Sequence, residues 1–429
     1  MNIIEQGKRF LQSLRELARR SVWEWRRCPH CGSDNTTRWG FYTRRPWSLD
    51  GQQLVSVPRH RCKECGRTYS EESPLLVGGS WYARDVHRCA IDHWQHLGTS
   101  LRRTAEMVRS WVGRQERYRL WRPLEESPVA AEDCRLAAST VHRWLDRAGR
   151  EAQARVSGQL ADVPCSGTVG TDGLWARLRG GAKRVVLLIV DSVSGVIWPP
   201  LVAEGEESET PWERLFERAR QAGLELAQLR GVTSDGAQGA LAYLRHQLGW
   251  VGRQRCVWHV WRNLARELRR AAAQAAEGLA EDVVRQVREQ MRGELVALVR
   301  AVVDAASYEI GEQALALLKE HPQAGQLWRI LNEQLDRILI HLVPYYQGLQ
   351  RVTPEWCWRD FRLRLSRGRN HGSDPRLERA ALVWSIYHNF TPTQWRSERK
   401  RRYRHPGQSA FEVAGVPPGE VSYLDALRV

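Results

Sequence analysis

Apolar residues recur along the chain with two different periods, and each period predicts its own elements. Two alternating runs, Arg38-Trp39-Gly40-Phe41-Tyr42 and Gln53-Leu54-Val55-Ser56-Val57, read as short strands. From Trp81 to Gly149 the spacing turns helical. After Pro164 three strand-like runs follow: one from Gly167 through Asp172, Lys183–Asp191, and Ser194-Gly195-Val196-Ile197-Trp198. Short glycine-bearing turns between them predict an antiparallel meander. Trp212, Leu215, Phe216 and Ala219 mark an amphipathic helix over Glu209–Gly223. A short strand then ends at Ser234-Asp235-Gly236, and Ala240, Leu241, Leu244 and Leu248 predict the next helix. Residues 264 to about 345 are rich in alanine, leucine and arginine with few breakers, so they read as helical almost throughout, and Leu382–Phe390 reads as an apolar helix.

A chain of 429 residues has room for two or three domains. No run approaches the roughly 18 to 20 uncharged residues of a membrane span. The start, MNIIEQGKRFLQSLRELARR, is an amphipathic helix containing acids, which reads as part of the fold rather than as a signal peptide. A cytoplasmic location follows as an expectation, with the nine cysteines reduced unless they bind metal. The net charge of +16 is unevenly placed: residues 1–150 carry 27 Lys and Arg against 17 acids, and residues 359–429 carry 14 against 7. The centre is close to neutral, with 24 against 25. Cationic ends around a neutral middle suit a polyanion held at the ends, and arginine, which dominates here, pairs with phosphate through two N–H groups at once.

Cys28-Pro29-His30-Cys31-Gly32 and Cys62-Lys63-Glu64-Cys65-Gly66 are paired CxxC knuckles flanking the two alternating runs. Four thiolates from two such turns match one tetrahedral, structural Zn²⁺ with no open coordination position. A zinc ribbon is expected, with arginines and aromatics close to it. Ser100–Val108 and Ala138–Leu145 resemble the two helices of a helix-turn-helix, separated by an insert, Arg114–Asp133. Ser139 or Thr140 would cap the second, leaving His142 and Arg143 to face a DNA groove.

Two Asp-Gly pairs, Thr171-Asp172-Gly173 and Ser234-Asp235-Gly236, each end a strand-like run, and Cys256-x-x-His259 with Arg262-Asn263 follows the second. This arrangement, from about Gly170 to Pro392 and most clearly from Glu207 to Asn263, resembles the catalytic domain of Mutator-like insertion-sequence transposases. The resemblance implies an RNase H-like α/β core in which Asp172 and Asp235 are the first two members of a DDE triad. Carboxylates suit that role because phosphodiester cleavage and strand transfer use two Mg²⁺ (or Mn²⁺) held by oxygen ligands. Asp191 also ends a strand, yet the Ser-Val-Ser-Gly after it favours a turn role. The resemblance gives His259 a supporting role at the scissile phosphate, while Cys256 fits that role and core packing equally. It also implies that the all-helical stretch is an insertion that helps to position DNA.

The third carboxylate departs from the family pattern. Thr353-Pro354-Glu355 makes a good helix start, but counting from the cap puts the family position nearer Trp358 than Glu355. Glu355 in another register, Asp360 as a substitute, and a broken triad in a domesticated DNA-binding protein all stay open. Arg359, Arg362, Arg364 and Arg367 are expected to form a basic face, joined with Arg262 in DNA contact, and the tail from Arg396 to Arg404 adds further cations. The expected organisation is multidomain: a zinc ribbon with its N-terminal helix (1–80), a helix-turn-helix-like region (81–160), the first part of an RNase H-like core (161–263), an all-α insertion (264–350), core completion (351–392) and a basic tail (393–429). The functional expectation is a bacterial, nucleoid-associated transposase acting as a homodimer on terminal inverted repeats and target DNA. The alternative is a non-catalytic DNA-binding descendant.

Overall fold

The structure, a computed structural model, describes residues 27–71, 73–112, 134–367, 371–392, 407–419 and 421–429. The expected N-terminal helix, the Arg114–Asp133 insert and the Arg396–Arg404 tail lie outside the described residues. The chain divides into two compact units, Met1–His93 with Leu101–Val141, and Trp94–Ser100 with His142–Val429. No described helix is long and apolar enough to cross a membrane.

In the first unit the alternating runs form a three-stranded antiparallel sheet in the order β1-β4-β5, from β1 (Thr36–Arg44), β4 (Val55–Cys62) and β5 (Thr68–Ser70). The small hairpin of β2 (Trp47–Ser48) and β3 (Gly51–Gln52) sits between the first two in sequence. The β1–β4 register shifts between Arg38 and Phe41, where Gly40 holds φ at 88°, a conformation glycine adopts without steric cost. Two helices follow, α1 (Arg84–Leu97) and α2 (Leu101–Trp111), and α2 buries Leu101, Thr104, Ala105 and Val108 at helical spacing. The helix α3 (Ala138–Leu160) starts ahead of the expected Ser139 or Thr140 cap, so both residues fall in its first turn. The segment that would join α2 to α3 as a helix-turn-helix lies outside the described residues.

The second unit is built on a five-stranded mixed sheet in the order β10-β9-β6-β7-β8. The strands β6 (Thr168–Arg177), β7 (Lys183–Asp191) and β8 (Leu201–Ala203) form an antiparallel meander. Then β9 (Gly231–Ser234) joins β6 in parallel, and β10 (Gly252–Arg255) joins β9 in parallel. The third meander strand lies later than expected: Ile197 forms only an isolated bridge to Val190, and pairing resumes at Leu201. Pro199 and Pro200 intervene, and proline has no N–H to give to a ladder. The long apolar run of β7 is buried on both faces. Val186, Leu188 and Val190 pack with Trp358, Phe361 and Trp384 from α11 (Glu355–Arg367) and α12 (Asp374–Phe390). On the opposite face Val185, Leu187 and Ile189 are equally buried, and α4 (Glu209–Gln221) packs on β7 with Trp212, Leu215 and Phe216 fully inside. Continuous hydrophobicity, rather than alternation, is what a strand covered on both sides requires.

After α5 (Gln238–His246) and β10, residues 257–339 hold five helices: α6 (Val257–Ala275), α7 (Glu281–Val303), α8 (Tyr308–Glu320), α9 (Gly325–Asn332) and α10 (Leu335–Leu339). They enclose a separate apolar cluster that includes Leu264, Leu295, Val299, Leu318, Leu331 and Ile338. The chain then returns to the sheet through Gln350–Pro354. The Thr233 hydroxyl donates to the Gln350 carbonyl (2.5 Å), and the Val257 N–H donates to the Arg351 carbonyl (2.8 Å). The Thr353 N–H donates to the Cys256 sulfur (3.3 Å). Gly170 leaves room for Pro354, whose Cδ would lie 2.8 Å from a Cβ there. Two short capped helices, α13 (Ala410–Val413) and α14 (Tyr423–Ala426), finish the described chain.

Candidate active site and cysteine cluster

The four knuckle cysteines converge, with their sulfurs all within 4.8 Å of one another. Cys28 and Cys65 approach to 3.6 Å and Cys31 and Cys62 to 3.5 Å. A tetrahedral site with Zn–S near 2.3 Å has S–S edges of about 3.8 Å, so the cluster fits Zn²⁺. Backbone N–H groups, first that of Cys65, lower the Cys62 thiol to about 7, while its neighbour Cys31 is pushed up. Trp39 and Phe41 on β1 are exposed, and the Arg61 guanidinium lies 4.8 Å from the Trp39 ring centre.

The second constellation is at the parallel strand pair. The β6–β9 register runs Thr168↔Gly231, Val169↔Val232, Gly170↔Thr233. Carried two residues further, it brings Asp172 level with Asp235. His259 arrives in the first turn of α6, one strand over, and ligand atoms of Asp172, Asp235 and His259 all lie within 4.8 Å of one another. Asp172 and His259 are buried, while Asp235 is partly open. One Asp235 oxygen accepts the Ala237 N–H at 2.9 Å, across Gly236 at φ 87°. A Cβ at Gly236 would overlap the Arg255 guanidinium. Burial lowers the Arg255 pKa and the nearby Asp235 charge opposes that shift. Its Nε donates to Gln334 (3.1 Å), whereas Nη1 is buried without a hydrogen-bond partner.

Trp358 completes the wall: its indole N–H donates to Asp172 Oδ2 at 2.7 Å. The indole therefore meets Asp172 from a residue that lies nearer than Glu355 to where the resemblance would put the third carboxylate. Glu355 is the first residue of α11, but its side chain and those of Arg359, Asp360 and Arg367 lie outside the described residues.

The remaining residues singled out by sequence fall in different places. Asp191 accepts N–H groups from Ser166, Val193 and Ser194 at 2.7–2.9 Å, the work of a turn carboxylate. Cys256 is fully buried, and its sulfur meets Thr353 rather than the carboxylates. Arg143 is exposed on α3, and His142 is half-buried, its pKa lowered by burial and by Arg376. Arg262 is exposed, 5.3 Å from the centre of the Trp258 ring, and Arg362 is exposed on α11. Arg364 corrects the expected basic face. It is 4 % exposed, with its guanidinium over the Tyr387 ring, because a two-residue step turns about 200° around a helix.

Sequence reasoning missed Arg255, Trp358 as a partner of Asp172, and Glu206. Arg255 adjoins the Cys-x-x-His pattern, which is a usable signal. Glu206 stands in an acid-rich loop with Glu204, Glu207 and Glu209, where nothing in the pattern distinguishes it.

Comparison with curated proteins gives no match. Residues 200–353 match the family model described as transposase, Mutator family, a stretch that holds Asp235, Cys256 and His259 and ends at Thr353, just before α11. Across that stretch the chain is similar to transposases of the Mutator family.

Proposed function

We propose that this protein is a DNA transposase that binds the ends of its element and performs metal-dependent cleavage and strand transfer. The observation that carries the reading is the convergence of Asp172, Asp235 and His259 at the ends of adjacent strands. The sheet order, a three-stranded meander extended by two parallel strands, supports an RNase H-like core with residues 257–339 as its helical insertion.

The two carboxylates offer oxygen ligands suited to Mg²⁺ or Mn²⁺, with the His259 imidazole within 4.8 Å of them. A divalent cation bound there would activate the attacking oxygen and stabilise the leaving one. Trp358 fixes the orientation of the Asp172 carboxylate, and the Ala237 N–H fixes that of Asp235. His259 reaches the same point from α6, and the Arg255 guanidinium beside Asp235 offers a buried N–H to a phosphate oxygen. Glu355 is the third carboxylate in this reading, with Asp360 as the substitute. Arg143, His142, Arg262, Arg359 and Arg362, together with the aromatic and arginine side chains of the zinc ribbon, contact double-stranded DNA, both terminal repeats and target. Action on two ends calls for a homodimer, in a bacterial cytoplasm and at the nucleoid.

A second reading, a non-catalytic DNA-binding descendant, is favoured by one feature: the Trp358 indole on Asp172 in place of a carboxylate. The test is cleavage and strand transfer on DNA carrying the element's own termini, with Mg²⁺ or Mn²⁺. The transposase reading expects activity in the wild type and loss to background in Asp172→Asn and Asp235→Asn. Loss in Glu355→Gln identifies Glu355 as the third member, and retention there with loss in Asp360→Asn moves that role. Tight, metal-independent binding to the ends with no cleavage by the wild type establishes the second reading.

A further inference from the structure

Glu206 is nine-tenths buried and belongs to no ion pair among the described residues. Three contacts fix it. The Trp175 indole donates to Oε1 at 3.0 Å, and the Trp212 indole donates to the main-chain carbonyl at 2.9 Å. Oε2 fills the space that a Cβ at Gly173 would occupy, the residue directly after Asp172. That same Oε2 is buried and has no hydrogen-bond partner.

The location of this carboxylate follows from the path of the chain. Leaving β8 at the sheet edge, residues 204–208 cross the face over β7, where Val185 and Leu187 flank Gly173. They then lie against the first turn of α5, where Gly239 leaves no room for a Cβ beside the Ser208 and Glu206 carbonyls. That turn begins at Gln238, with Gly236 and Ala237 between it and Asp235. Glu206 thus lies on the α4 face of the sheet beside Gly173, opposite the α11 face from which Trp358 reaches Asp172. Burial first, and then the Asp235 charge, raise the Glu206 pKa to about 7, consistent with a second carboxylate close at hand.

A buried carboxylate oxygen without a donor is costly unless a cation or proton meets it. Here Trp175 holds Oε1 and Trp212 holds the main chain, while Oε2 is left unpartnered beside Gly173, the neighbour of Asp172. We propose that Glu206 is a carboxylate ligand of the site, holding a divalent cation jointly with Asp235. It would supply the oxygen ligand that Trp358 does not supply on the opposite face. The inference rests on the metal-dependent reading of the acid pair given above.

The test is Mn²⁺ binding to the full chain with its zinc retained, followed by calorimetry and by the electron paramagnetic resonance of free Mn²⁺. Wild type, Glu206→Gln, Trp175→Phe and Asp235→Asn are compared, each with a thermal melt to verify folding. The expected result is binding by the wild type, a loss of at least tenfold in affinity or of one bound ion in Glu206→Gln, and a severe loss in Asp235→Asn. Trp175→Phe keeps every carboxylate but frees Oε1, so it weakens binding by a few-fold and stands in if Glu206→Gln does not fold. Unchanged binding in Glu206→Gln or Trp175→Phe with loss in Asp235→Asn overturns the role of Glu206 and leaves the acid pair intact. Absence of Mn²⁺ binding in the wild type overturns both.

Discussion

Trp358 shows how one buried polar contact constrains two readings at once. Its ring stacks on Trp384 with centroids 5.9 Å apart, while its N–H ends on Asp172. Trp358→Phe keeps most of the apolar contact but leaves an Asp172 oxygen without this donor. The expected cost is about 1–3 kcal/mol in urea unfolding, the usual consequence of removing one partner of a buried hydrogen bond; an unchanged midpoint would show that water replaces the indole. Asp172 and Asp235 were legible in the sequence because an Asp-Gly pair at a strand end signals backbone leaving a sheet. Glu206 was not, since its carboxylate meets Trp175 and the space beside Gly173 only through tertiary packing. Arg364 was misread for a simpler reason: a row of arginines two and three residues apart does not share one helix face.

The return segment Gln350–Pro354 is held across β6, β9 and α6 by hydrogen bonds and by the missing side chain at Gly170. Its position sets where α11 begins, and hence where Trp358 meets the acid pair. Gly170→Ala forces a methyl group against the rigid Pro354 ring and should destabilise the protein by roughly 1–3 kcal/mol. Gly158 on α3 has open space around its Cβ position, so Gly158→Ala should instead stabilise by about 0.5–1 kcal/mol through helix propensity. Both shifts are readable in the same chemical denaturation series, and equal signs would contradict the packing described. At this scale the strands, the amphipathic α4 and the helical run were visible as periodicity. The delayed third strand and the early start of α3 were not, because a proline pair and a missing cap shift boundaries without altering the apolar pattern.

The β1-β4-β5 sheet and the second unit depend on different sources of stability. Among the described residues the second unit has extensive apolar clusters, whereas the small cluster at the knuckles comprises Cys28, Cys62 and Tyr69. A sheet of that size needs a metal to persist. Strong chelation, or Cys31→Ser with Cys65→Ser, should therefore melt the β1-β4-β5 sheet and release about one Zn²⁺ per chain. Amide hydrogen exchange should then rise across residues 36–70 while protection at β7 and α12 is kept. Uniform loss of protection in both units would show that the four-cysteine cluster supports far more than the sheet beside it.

The hydrogen bond between Trp358 and Asp172 joins residues 186 positions apart, and Thr353 meets Cys256 across 97 positions. Synthesis proceeds at about 5–20 residues per second, so roughly 10 to 40 s separate the appearance of these two partners at the ribosome. During that interval β6 and β9 can pair, yet the α11 side of the acid pair stays open to solvent. The order of translation thus leaves closure of the site to a helix made long after both aspartates, and truncation before α11 would yield a chain with both aspartates and no wall behind them.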